Sequence, residues 1–138
     1  MSSCDCGCKL KYNLIFACSG AADVGSIADL AARKLAAEKS GKMSCIAGIS
    51  AGDAEILQWA GNATRIAVID GCDKDCASKT LKAAGFHDFG HIRVTSLGME
   101  KGKTPVTPER IGAVCEEVKK LLSEGEQVFS AAAPSLAP

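Results

Sequence analysis

Cys72 and Cys76 stand four residues apart in Asp70-Gly-Cys-Asp-Lys-Asp-Cys76, directly after the uncharged, β-branched run of residues 66–69. That run has the pattern of a strand buried on both faces. Asp73 is placed to cap a helix carried by Ala77, Leu81 and Ala84. Cys72 then falls in a strand-to-helix turn and Cys76 in the first helical turn. Ligands of open parallel sheets bind in the crevice at the carboxyl ends of strands, and a helix N-terminus there favours an anionic sulfur. The two thiols predict a cysteine-based, metal-binding site.

Cys18, Cys45 and Cys72 recur at one equal interval, while their flanking residues do not repeat. The interval is about one βα unit, which returns the chain to the same sheet edge each time. Three strand ends and one helix start would gather Cys18, Cys45, Cys72 and Cys76. Four thiolates match the closed tetrahedral form of structural zinc sites. The same residue type also suits a [4Fe–4S] cluster. Cys4, Cys6 and Cys8 alternate in a short arm and offer a second, auxiliary set of soft-metal ligands. Cys115 falls on an apolar helical stripe and reads as a buried structural residue. His87 and His91, the only histidines, lack a helical ligand spacing and read as turn or strand-end residues.

The elements that must position these thiols are legible as a βα succession. Residues 12–17 form a first strand, followed by the small-residue loop Cys18-Ser-Gly-Ala-Ala-Asp-Val-Gly25. That loop matches neither G-x-G-x-x-G nor a P-loop, so presentation of Cys18 is the simpler reading. Ile27, Leu30, Ala31 and Leu35 make a helical stripe, with Asp23 or Ser26 as cap and Gly41 as terminator. Residues 42–48 hold a second strand, with Cys45 at its end or within it. Ser50-Ala-Gly-Asp53 resembles a capping box ahead of Ile56, Leu57 and Ala60. Residues 89–95 read as a fourth strand, and residues 96–107 as a loop beside the site. Thr107 and Pro108 open the last helix. The fold class is α/β: a single three-layer Rossmann-like domain, with a mostly parallel sheet of about four strands flanked by helices. It spans residues 12–124, between a flexible Cys-rich arm (1–11) and a mobile tail (125–138).

At 138 residues and 47% hydrophobic composition, the chain is one domain with enough apolar mass for a core. Its formal net charge is zero, which gives no support for a nucleic-acid or anionic-membrane partner. No apolar run has bilayer length, and the first residues lack a signal-peptide pattern. The expectation is a cytoplasmic protein, where clustered thiols bind metal or do chemistry rather than form structural disulfides.

Cys18-Ser-Gly-Ala-Ala-Asp-Val-Gly25, Met43-Ser-Cys-Ile-Ala-Gly48 and Ile69-Asp-Gly-Cys-Asp-Lys-Asp-Cys76 together resemble the DGC-domain family, named for its central Asp-Gly-Cys motif. The resemblance covers roughly residues 14–100. It implies zinc binding, with Cys18, Cys45, Cys72 and Cys76 as the chelating set, and supplies no reaction. Zinc held by four thiolates has no open position for Lewis-acid catalysis, which argues against a hydrolase. The rival reading is a thiol/disulfide redox or sulfur-carrying protein using Cys72 and Cys76. No protein partner is specified by the sequence.

Overall fold

The computed structural model describes residues 11–123. Cys4, Cys6 and Cys8 and the C-terminal tail lie outside the described residues. Four strands form one sheet: β1 (Asn13–Ala17), β2 (Lys42–Met43), β3 (Arg65–Asp70) and β4 (Gly90–Arg93). Their order is β2-β1-β3-β4, and every pair is parallel. The helices are α1 (Asp23–Ala37), α2 (Ile46–Ala51), α3 (Ala54–Asn62), α4 (Cys76–Ala83) and α5 (Pro108–Ser123), with a 3-10 turn at Val94–Leu97. No helix among the described residues is long and apolar enough to cross a membrane.

The period of two along the central strands divides the molecule into three layers. Ile15, Ala17, Ala67 and Ile69 pack with Ile27, Ala28, Ala31, Leu35, Val114 and Val118 from α1 and α5. Leu14, Phe16, Ile66 and Val68 point the other way, onto Ile49, Ala60, Ala77 and Leu81 from α2, α3 and α4. Both faces are covered, which is why β1 and β3 read as continuous apolar runs.

Several boundaries differ from the sequence expectation. The second strand is only Lys42–Met43, and Cys45 is the N-cap residue of α2 rather than a strand residue. Asp53 caps α3 itself, its carboxylate accepting from Ile56 N–H at 3.0 Å, so the proposed capping box is displaced by one turn. Asp23 is the first residue of α1, not its cap. That helix ends before Gly41, with Lys39 in the left-handed region at φ 63°. The fourth strand stops at Arg93, where the chain tightens into the 3-10 turn. The start of α5 matches its sequence signal: Thr107 Oγ1 accepts from Arg110 N–H at 3.2 Å, and Pro108 follows.

Candidate functional site

The strand order reverses direction at β1. The chain passes from β1 outward to β2, then returns to the far side of β1 as β3. Such a reversal opens a crevice between the carboxyl ends of the two central strands. Cys18 follows β1 and Cys72 follows β3, so the two residues flank this switch point. Cys18 N–H extends the ladder by donating to Ile69 O at 3.0 Å, and its sulfur accepts from Gly71 N–H at 3.3 Å. Ser44 N–H donates to Ile15 O at 3.0 Å, which ties the turn before Cys45 to β1. Cys76 is the first residue of α4.

Gly71 is the point where the β3–α4 turn meets α1. A Cβ there would lie 2.8 Å from Gly25 N and 2.8 Å from the carbonyl carbon of Val24. One at Gly25 would lie 2.7 Å from Gly20 O. The β3–α4 turn therefore touches the first turn of α1 backbone to backbone, α1 touches the loop before it at Gly20 in the same way, and only glycine at 71 and 25 permits it. This contact holds the Cys18 and Cys72 segments side by side.

Asp70 sets the direction of the next element. It is 1% exposed, and its Oδ1 accepts from Ala77 N–H at 2.8 Å while Oδ2 accepts from Ser78 N–H at 3.1 Å. A buried carboxylate thus caps α4 from seven and eight residues upstream, the role expected of Asp73. His91 Nε2 lies 2.8 Å from Asp70 Oδ2 and 3.6 Å from Asp75 Oδ1. Asp75 takes the left-handed conformation at φ 51°. Its carboxylate accepts from Arg93 Nε at 2.9 Å and Nη2 at 2.6 Å. These Arg93 hydrogen bonds hold the Asp75 carboxyl below its ordinary range.

Asp70, Asp75 and His91 are the one group of three candidate ligands among the described residues whose donor atoms lie within 4.8 Å of one another. Sequence reasoning set His91 aside. The signal lay in register: Val68 pairs with His91 and Asp70 with Arg93, so His91 and Arg93 share the strand face that carries Asp70. All four carboxylate oxygens already have donors, and Arg93 supplies a cation. This group is a satisfied network that fixes the β3–α4 turn, rather than a vacant cation site.

The predicted cysteines share the carboxyl edge, but no three of their sulfurs lie within 4.8 Å of one another. Cys45 and Cys76 are exposed, and Cys18 and Cys72 are half-buried. Burial pushes the Cys18 thiol up, and the N–H groups of Gly20 and Gly71 pull it part of the way back. Cys115, by contrast, is buried between α5 and α1, where its sulfur donates to Ala31 O at 3.5 Å, as its place on the stripe predicts. The five described cysteines are all free thiols.

A family model described as the DGC domain matches residues 14–118. Among curated proteins, the chain is similar to the anaerobic and virulence modulator AnvM of Pseudomonas aeruginosa. The two are 27% identical over 119 residues, which span 85% of each chain. No solved structure matches the chain.

Proposed function

The chain belongs to the DGC-domain family, and from that membership we propose that it is a cytoplasmic zinc-binding protein whose ligands are Cys18, Cys45, Cys72 and Cys76. One observation carries this reading. The ends of three neighbouring parallel strands and the start of α4 bring these four residues to one edge, and all four keep some solvent exposure. The donor set fits the ion: four soft thiolates, no carboxylate and no water suit closed tetrahedral zinc. A zinc–sulfur bond of about 2.3 Å separates neighbouring sulfurs by about 3.8 Å. No three of these sulfurs lie that close, so binding draws the thiols together and is coupled to ordering of the edge. A closed site favours a structural, sensory or transit role over hydrolysis. The name of AnvM, a modulator, is consistent with regulatory use. The partner in this reading is the metal ion.

The test is elemental analysis of anaerobically purified protein, with free thiols counted before and after denaturation. It is run in parallel on a variant with Cys4, Cys6 and Cys8 replaced by serine. We expect about one zinc per chain in that variant, lost on adding Cys45→Ser; extra zinc in the wild type belongs to the N-terminal arm. Iron with sulfide replaces zinc by a cluster. Absence of metal together with a Cys72–Cys76 disulfide overturns the zinc reading in favour of thiol/disulfide redox or sulfur carriage.

A further inference from the structure

The loop after the 3-10 turn is tied down from a distant part of the chain. Asp23, in the first turn of α1, accepts from Gly102 N–H at 2.8 Å through Oδ1 and from Thr104 N–H at 2.9 Å through Oδ2. These two N–H groups hold its carboxyl below the usual range, so the latch is anionic at neutral pH. Thr104 is buried, and its Oγ1 closes the loop on itself. It accepts from Glu100 N–H at 2.8 Å and donates to Glu100 O at 2.7 Å. One residue before the first position pinned by Asp23, Lys101 reaches Cys72, its Nζ 3.8 Å from Cys72 Sγ. Lys103, two residues on, pairs with Glu100 at 3.8 Å. Lys101 has no carboxylate partner among the described residues.

An ammonium without a carboxylate partner, held beside a half-buried thiol at the carboxyl edge of the sheet, acts on whatever approaches that sulfur. We propose that Lys101, latched by Asp23, is a specificity-determining residue that selects small anionic molecules as reactants or ligands of Cys72. The inference rests on the functional cysteine edge proposed above, but it concerns Cys72 as a free thiolate in the metal-free chain and does not rest on zinc. At low ionic strength, a cation about 4 Å from the reacting sulfur is expected to favour a singly charged anion over its neutral analogue by roughly 3- to 10-fold.

The experiment uses the full chain, freed of metal and reduced, and two alkylating probes of like reactivity, iodoacetate and iodoacetamide. With either, the Cys72 thiolate attacks the methylene carbon, the S–C bond forms, the C–I bond breaks and iodide leaves. Both consume the same thiolate, so the ratio of their rates cancels its ionised fraction and isolates the charge of the surroundings. Modification is followed residue by residue by peptide mass spectrometry, with Cys45 as internal reference. The iodoacetate-to-iodoacetamide ratio at Cys72 should fall about 3- to 10-fold in Lys101→Ala. It should recover in Lys101→Arg, fall again in Asp23→Ala with Lys101 intact, and collapse at high salt. A ratio unchanged in Lys101→Ala, one that falls equally at Cys45, or a Cys72 that neither probe modifies overturns the proposal. Zinc content of the same proteins, measured as purified and before metal is removed, separates the two readings. No zinc with a Lys101-dependent ratio sinks only the metal assignment, and zinc with a Lys101-independent ratio sinks only this one.

Discussion

Two regions meet at the carboxyl end of β3 and are built to opposite specifications. On the β4 side, Asp70, Asp75, His91 and Arg93 form a network in which each carboxylate oxygen has a donor within 3.1 Å. No buried side-chain polar atom among the described residues lacks a partner. On the β1 side, Cys18 is met by backbone N–H groups of Gly20 and Gly71 and Cys72 by Lys101 Nζ, and Cys45 and Cys76 stand exposed. Polar groups that are fully paired stabilise a turn, and any new ligand must displace their partners. Thiols left at a crevice cost the fold little and remain free to react. The Asp-Gly-Cys motif serves both specifications. Its Asp caps α4, its Gly lets the turn approach α1 and its Cys is presented half-buried at the sheet edge.

The comparison predicts that damage on the network side unfolds the protein and damage on the thiol side silences it. The largest effect belongs to Gly71→Ala, since the added Cβ meets backbone atoms of α1 at 2.8 Å, which cannot yield as a flexible side chain would. A loss of about 3 kcal/mol or more is expected, read as a lower urea midpoint. A midpoint within error of wild type would break the claim that the β3–α4 turn and α1 pack backbone to backbone. Asp70→Ala comes next. It strands the N–H groups of Ala77 and Ser78 at the start of α4 and removes the partner of His91. The expected cost is roughly 2–3 kcal/mol. Because Cys76 opens that helix, zinc content should fall with stability; Asp73→Ala should change neither.

A smaller effect is expected in acid. The Asp75 carboxyl is held below its ordinary range by Arg93. A carboxyl lowered in the folded state contributes stability that is fully present above its unfolded value, about 3.9, and is lost as pH falls through the lower folded value. Asp75→Asn should therefore be less stable than wild type at pH 6, and the gap should narrow by pH 3. A gap that is constant across this window assigns the role of Asp75 to its left-handed backbone instead of its charge.

What the sequence disclosed follows the same divide. The convergence of Cys18, Cys45 and Cys72 on one edge was legible because apolar runs and the one-unit interval are local patterns. The layers were legible because both faces of β1 and β3 are apolar. The length of β2 was not, since two residues of ladder leave no periodicity to read. Nor was the cap of α4. The rule looks for a side chain within three residues, but Asp70 reaches forward seven because Asp75 has turned to Arg93. His91 and the latch between Asp23 and Gly102 depend on tertiary proximity across 21 and 79 residues, which no single window contains.

The smallest expected effect is the sharpest test of the divide. Cys45 is exposed and caps a six-residue helix without using its side chain. In metal-free protein, Cys45→Ser should leave the urea midpoint unchanged, within about 0.5 kcal/mol. With zinc present, the wild type should gain stability that the variant does not, because an ion that binds only the folded chain stabilises it by mass action. The difference between the two proteins should then appear on adding zinc and vanish on chelation. A variant already destabilised without metal would make Cys45 part of the scaffold. A gain from zinc that survives the substitution would move the ion off the four-thiol edge, and stability measurements alone would distinguish these cases.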